Sequence, residues 1–304
     1  MAARKKKAET EVPAAAAAVI ETAIEKEAAA EIAAEAGIET TSTGEIPVTA
    51  AEAAAARDDL PPVPDAAAET AELRKEWGEE TDAETQATSG ESEIPIESKA
   101  VRLARVAESA SVCVACNLSK TRAHVVFGEG NPEAPLMLIG EGPGQNEDAT
   151  GRPFVGRSGV LLDQCLNENG IKRKHVYLAN VLRCRACILE AGRLKNRPPT
   201  PEETRACAPW LEQTIEIVQP LVILCLGAPA ASAMIHKGFK MTQERGQWFE
   251  SKHARYVMAA WHPAYILRLE GEAYEAARRD FINDIAAARQ KVIEARREPK
   301  MTLF

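Results

Sequence analysis

The C-terminal two-thirds of this 304-residue chain predicts an α/β fold, a three-layer α/β/α sandwich with a mostly parallel four-stranded central sheet, preceded by a disordered tail. Short apolar runs of strand length stand at 136–139, 176–182, 221–226 and 256–260, with helically spaced segments between them. Strands that alternate with helices need crossover connections, which pair the strands in parallel and put helices on both faces of the sheet. The loops after the first, second and fourth runs carry glycines, acids, arginines or a histidine. Ligands bind beyond the carboxyl ends of such strands, so these loops are expected to converge on one crevice.

Taken in order, residues 1–97 are a low-complexity mixture of Ala, Glu, Thr and Pro with one aromatic, Trp77. They hold too little apolar surface to offset chain entropy and read as a disordered acidic tail. Charge divides the chain similarly: residues 1–100 carry a net −14 against −8 for the whole, leaving +6 on residues 101–304. Order is expected from Ser98, where Val101, Leu103 and Val106 run with helical spacing into a cysteine pair. A helix over 158–168 follows the first strand, with Leu161, Leu162, Cys165 and Leu166 on one face. Beyond the second strand, an arginine-rich loop leads to a helix over 201–219, where Pro201 suits a first helical turn. Helices over 228–236 and 274–297 complete a domain spanning 98–297, and 298–304 form a C-terminal tail.

No apolar run approaches the ~20 residues of a membrane span, and the basic start at Met1 lacks an apolar signal core, so a cytoplasmic location is expected. All seven cysteines and all five histidines lie beyond residue 112, which confines the chemistry to the C-terminal part. In a reducing compartment, clustered cysteines are read as metal ligands rather than disulfides. Spacing alone makes Cys113, Cys116, Cys184 and Cys187 a reasonable four-thiolate zinc site. Cys165 and Cys225, on apolar periodic segments, read as core.

The loop Gly140-Glu-Gly-Pro-Gly144 lacks the Gly-x-Gly-x-x-Gly register and any Lys-Ser/Thr ending, and it brings Glu141, Glu147 and Asp148 towards a bound anion. That disfavours a phosphate cradle. The glycines and Pro143 suit a turn in which backbone nears a planar ligand, and the acids suit water positioning; a tight turn with solvated acids is the plainer alternative. Phe154, in a constrained polar loop, suits stacking on a base or anchoring the loop in the core. Asn180 is a polar amide inside a strand, able to read a base edge. His262 stands at a strand's carboxyl end, where functional histidines concentrate.

The motifs from Val125 through Gly140-Glu-Gly-Pro-Gly-Gln-Asn-Glu-Asp148, then Thr150-Gly-Arg-Pro-Phe-Val-Gly156, Asn180-Val-Leu-Arg-Cys184, Pro199-Thr-Pro-Glu-Glu203 and His262-Pro-Ala-Tyr265, closely resemble the family 4 uracil-DNA glycosylases. The resemblance covers about residues 100–290. It implies a 4Fe-4S cluster on Cys113, Cys116, Cys184 and Cys207, and a DNA-repair pocket that hydrolyses the N-glycosidic bond of deoxyuridine in DNA. Cytoplasmic, nucleoid-associated work as a monomer on uracil-containing DNA follows from it. Residues 186–194 depart from the family pattern as an insertion that carries Cys187.

By the same resemblance Phe154 stacks on uracil, the Asn180 amide reads its N3 and O4 edge, and Glu147 with the loop at Gly142 walls off the thymine methyl. His262 is an oxyanion-type donor to O2, and either Glu141 or Glu147 positions the water. Other glycosylase families put an Asp or Asn where this chain has Gly142, which leaves the water-activating residue open. Arg183, Arg185, Arg193, Lys195, Arg197 and Arg268 are expected to meet phosphates, with a solvated basic loop as the alternative. Met301-Thr302-Leu303-Phe304 resembles tails that engage the DNA sliding clamp. Relatives that trap uracil-DNA covalently do so with a histidine in an inserted loop after the second strand; this chain has no histidine between His175 and His236. A non-catalytic binding module with a structural metal is the remaining reading.

Overall fold

The computed structural model describes residues 97–190 and 192–298. The expected acidic tail, except Glu97, and the C-terminal tail, except Glu298, lie outside the described residues. Helix α1 (Lys99–Ser111) opens them, capped by the Ser98 hydroxyl, which accepts from Val101 N at 3.4 Å. The four predicted strands are present as β2 (Leu136–Gly140), β3 (Tyr177–Asn180), β6 (Val222–Leu226) and β8 (Ala254–Ala260). They lie side by side, all parallel, in the order β3-β2-β6-β8.

Among the described residues the sheet has six strands, not the expected four. Antiparallel β1 (Glu129–Gly130) borders β3, and antiparallel β7 (Phe249–Ser251) borders β8. Neither is long enough to show an alternating pattern, which is why sequence periodicity passes over them. The segment expected as an insertion forms a separate hairpin, β4 (Cys187–Glu190) and β5 (Arg193–Asn196).

Alternation along the parallel strands sorts the core into two faces. Met137, Ile139, Ala179, Ile223, Cys225 and Val257 face one layer, made by α1, α4 (Pro201–Val218) and α5 (Ala228–Met234). Leu136, Leu138, Leu178, Leu224, Leu226 and Met258 face the other, made by α3 (Arg157–Glu168) and α8 (Gly271–Arg297). Because helices cover both faces, these strands read as continuous apolar runs rather than alternating ones. Cys165 and Cys225 are fully buried in these layers, and burial pushes the Cys165 thiol up to about 12. Among the described residues no helix is long and apolar enough to cross a membrane.

Two short helices, α2 (Gln145–Thr150) and α7 (Pro263–Ile266), follow β2 and β8, and α6 (Met241–Glu244) precedes β7. The α2 helix replaces the end of what reads as an irregular loop; Gly144 is its N-cap, and Glu147 and Asp148 lie in its first turn, where acids favour the helix dipole. On α4, Thr200 and Glu203 form a reciprocal capping box with Pro201 at the first position.

Candidate active site

The parallel strands all end at one edge of the sheet, where a cleft of about 350 Å³ opens. Glu141 and Gly142 enter it from the end of β2, Asn180 from the end of β3, and His262 from the residues after β8. Phe154 and Glu147 complete the inner wall; Ala186, Asn196, Arg197 and Pro198 form the outer one. The residues expected to bind and cleave are thus brought together by the strand ends.

Gly140 and Asn180 are Cα partners in the β2–β3 register. A Cβ on Gly140 would stand 2.5 Å from Asn180 Oδ1 and 2.7 Å from Phe154 Cζ, so the missing side chain is what admits both groups against the strand. Phe154 holds a positive φ of 53°, an unusual state for a bulky residue that costs on the order of 1–3 kcal/mol. Three contacts hold it there. Arg173 Nη2 donates to its carbonyl, Gly159 lets α3 approach that carbonyl, and Glu147 Oε1 accepts from Val155 N at 2.9 Å and Gly156 N at 2.8 Å.

Glu147, expected to position the water or to wall off the thymine methyl, has its Oε1 taken up by this turn. Its carboxylate clamps the turn that carries Phe154, with the other oxygen over Gly144, where a Cβ would approach within 2.7 Å. Asp148 is also structural: its Oδ1 accepts from Ala123 N at 3.0 Å. Glu141, by contrast, is anchored through its backbone carbonyl, which accepts from Leu182 N at 3.0 Å. Burial raises its pKa, partly offset by Arg268, so its carboxyl is a stronger base than an ordinary glutamate. Gly142 is not required by protein packing, since a Cβ there would meet Leu182 at an ordinary 3.4 Å; its bareness keeps cleft space open.

His262 caps α7, and its Nδ1 accepts from Ala264 N at 3.0 Å. Burial, helped by Arg268, pushes its pKa down to about 4, although its edge keeps some contact with the cleft. The imidazole is therefore neutral at ordinary pH, and with Nδ1 accepting, the proton resides on Nε2. Gly227, at φ 88°, leaves room beside it: a Cβ there would sit 3.1 Å from His262 Cβ. Sequence reasoning read Gly140 only as part of a turn near the ligand and missed Gly227, which follows β6.

The basic residues divide. Arg183 does not meet the expectation of a phosphate contact: it is 1 % exposed, donates through Nη2 to Thr214 Oγ1 at 2.9 Å, and stacks over Phe127. Arg185 is also buried, tied to Asn196 Oδ1 at 2.6 Å and Leu194 O at 3.0 Å, and so braces the hairpin instead of meeting DNA. Arg197 lines the cleft but is paired with both carboxylate oxygens of Glu203, at 2.8 and 2.6 Å. Arg268 is exposed close enough to act on Glu141 and His262.

Cys113, Cys116, Cys184 and Cys207 line a second, smaller cavity; Cys187, at the start of β4, does not line it. Three of the four sulfurs accept hydrogen bonds: Cys113 from Trp210 Nε1 at 3.4 Å, Cys207 from Arg183 N at 3.2 Å, and Cys184 from Arg122 Nη1 at 3.6 Å. Arg183 Nε and Nη1 are buried without a partner, a positive group whose burial alone lowers its pKa. Among the described residues no three His, Cys, Asp or Glu side chains are set to hold a single ion. A tetrahedral zinc would draw its sulfurs within ~3.8 Å of one another, whereas a cubane body keeps its thiolates farther apart. The donor set and the two buried Arg183 nitrogens without a partner among the described residues therefore fit an anionic four-thiolate cluster. Trp210, one turn beyond Cys207 on α4, was a legible signal; Arg122 was not.

Residues 127–286 match the family model described as the uracil DNA glycosylase superfamily. A type-4 uracil-DNA glycosylase of Thermotoga maritima is 44% identical over 164 residues, 54% of this chain and 82% of the relative. One of Archaeoglobus fulgidus is 37% identical over 163 residues, 51% of this chain and 78% of that protein. A type-5 uracil-DNA glycosylase of Thermus thermophilus is 33% identical over 159 residues, 46% and 69% of the two chains.

Proposed function

The chain belongs to the uracil-DNA glycosylase superfamily, among the type-4 enzymes, and we propose that its cleft releases uracil from DNA by hydrolysis, leaving an abasic site. The observation that carries the residue assignment is the seating of Asn180 and Phe154 on Gly140 in the same cleft as a neutral His262. A base in duplex DNA is out of reach, so the nucleotide rotates out at a cost of a few kcal/mol. Phe154 stacks on the uracil ring. Asn180 Oδ1 accepts from N3–H while Nδ2 donates to O4; cytosine presents the opposite pattern on that edge.

As the C1′–N1 bond breaks, its electron pair passes to the base, and His262 Nε2–H donates to O2, where the charge collects. Glu141 takes a proton from the water whose oxygen bonds to C1′. Glu147 acts at one remove, by holding Phe154 in place. Strand cleavage needs a nucleophilic amine, which this scheme does not use, so the enzyme is monofunctional.

The cofactor reading is a 4Fe-4S cluster on Cys113, Cys116, Cys184 and Cys207, supported by the N–H···S bonds and by the buried Arg183 Nε and Nη1, which lack a partner among the described residues. When bound it supplies a redox-capable, four-thiolate cross-link outside the cleft. Trp210 and Arg122 orient Cys113 and Cys184, and the Arg183 charge favours the thiolate of Cys207. The partner reading adds the DNA sliding clamp through Met301–Phe304, on sequence alone; deletion of 302–304 is expected to weaken clamp binding, and unchanged binding dismisses it.

The test is incubation with end-labelled oligonucleotides bearing a single U or T, then alkali and a denaturing gel. Cleavage only at U and only after alkali is expected. No cleavage by protein with its cluster absorbance intact overturns the reading, and a heat-stable shifted band replaces it with covalent trapping.

A further inference from the structure

The β4–β5 hairpin stands apart from the six-stranded sheet, yet its foot is built into the cleft wall through Ala186, Asn196 and Arg197. That foot is stiff. Arg185 bonds Asn196 and Leu194, Arg197 N donates to Ala186 O at 3.1 Å, and Arg197 is locked to Glu203. Beyond it the strands are bare. Ile188 is 43 % exposed, Leu189 72 % and Leu194 37 %, three of the six exposed large apolar side chains among the described residues.

Leu189 and Leu194 are direct partners in the antiparallel register, so their side chains share one face as an apolar pair. They lie on the same face as Asn196, a cleft-lining residue, by the alternation of the strand. A two-stranded hairpin contributes little stability of its own, and exposed apolar strands invite aggregation, so folding does not account for leucines here. Lys195 pairs with Glu190 at 2.8 Å and Arg197 with Glu203, so it is the continuity of this apolar face with the cleft, through Asn196, that points to DNA.

We propose that the apolar pair of the hairpin, Leu189 and Leu194, is a wedge that enters the base stack of duplex DNA beside the target nucleotide as that nucleotide rotates into the cleft. This rests on the glycosylase reading and extends it to duplex substrate. Apolar side chains inserted between base steps are the general means of holding DNA unstacked, and they offset a cost of a few kcal/mol per step. Single-stranded DNA has no partner strand to displace, so the wedge acts on duplex alone. The effect is larger at U·A than at U·G, because the mismatch yields its base more readily.

The experiment compares single-turnover uracil release from single-stranded, U·G and U·A oligonucleotides by wild type and Leu189→Ala/Leu194→Ala. The expected result is single-strand release within twofold of wild type, U·A release reduced tenfold or more, and U·G release reduced less. The single variant Leu189→Ser, at so exposed a site, keeps the fold and is expected to show the same order with smaller losses. Equal losses on all three substrates would mean that the hairpin shapes the cleft, and no loss on any would mean that the tip does not touch DNA; either overturns the wedge. Failure of wild type to release uracil from single strands is a different result, and it counts against the glycosylase reading.

Discussion

The cleft and the cysteine cavity are served by one stretch of chain and built on different principles. From β3 onwards, Asn180 and Leu182 turn to the cleft, Arg183 to the interior, and Cys184 to the cavity. The cleft takes its residues from strand ends that the sheet already holds in register, so its side chains are free to be reactive. The cavity gathers the end of α1, the loop after β3 and the first half of α4, segments that no sheet aligns. A change at Glu141 or Asn180 should therefore alter chemistry and spare the fold. One in the cavity should loosen the fold and reach chemistry only through it.

The largest expected effect separates two acids within the cleft. Glu141→Gln removes the base and should lower kcat by ~10²–10⁴ while leaving the melting temperature unchanged. Glu147→Gln should do the reverse in kind: it weakens two charge-assisted bonds to Val155 N and Gly156 N, each worth about 1.5–3 kcal/mol, and affects turnover through a misplaced Phe154. Single-turnover rates and thermal melts on both variants decide the assignment. A Glu147→Gln protein with full stability and no turnover would reverse the two roles.

The next effect compares two buried cysteines. Cys207→Ser should bleach the cluster absorbance near ~400 nm and lower the melting temperature by at least about 5 °C, since one kcal/mol moves a domain of this size by ~2–4 °C and bound metal contributes directly to folding. Cys225→Ser, in the sheet, should keep the chromophore. Loss of uracil release by Cys207→Ser at temperatures where it stays folded would break the separation of cavity from cleft.

Much of this division is legible in the sequence, and unevenly so. The four parallel strands are continuous apolar runs because both faces are covered, and the loops at their carboxyl ends announce Glu141, Asn180 and His262. The edge strands β1 and β7 are too short to carry a pattern. Arginines mislead most: Arg183 and Arg185 look like DNA contacts in a basic loop, but Arg183 is buried against Trp210 and Thr214, far along the chain, and Arg185 is tied into the hairpin by Asn196 and Leu194. The same distance effect hides Glu147's task, because its bonds run to a turn eight residues on that only the fold brings back.

A glycine tests whether reading and stacking are one unit. Gly140→Ala puts a methyl 2.5 Å from Asn180 Oδ1 and 2.7 Å from Phe154 Cζ, an overpacking of about 1–3 kcal/mol. Uracil release should fall by roughly tenfold to a hundredfold, which is the same energy expressed at the site. Gly142→Ala meets only Leu182 at 3.4 Å, so the protein itself tolerates it, and any loss of activity measures how closely substrate passes over that position.

The smallest effect is in pH, and its sign follows from His262. The folded pKa of about 4 lies below the ordinary 6.5, so the unfolded chain takes up this proton first as pH falls. The stability that goes with the neutral ring is complete above about 6.5 and declines between there and about 4. In His262→Asn that slope is absent. The stability difference between wild type and variant should therefore shrink by about 1–2 kcal/mol from pH 7 to pH 5, measured by urea unfolding at each pH, with other titrating groups common to both proteins. Turnover should behave otherwise over the same range: its acid limb belongs to Glu141, whose raised pKa requires a higher pH than an ordinary glutamate to release the proton. A limb that survives in Glu141→Gln and vanishes in His262→Asn would move the essential titration from the carboxyl to the imidazole, and with it the choice of which group meets the water.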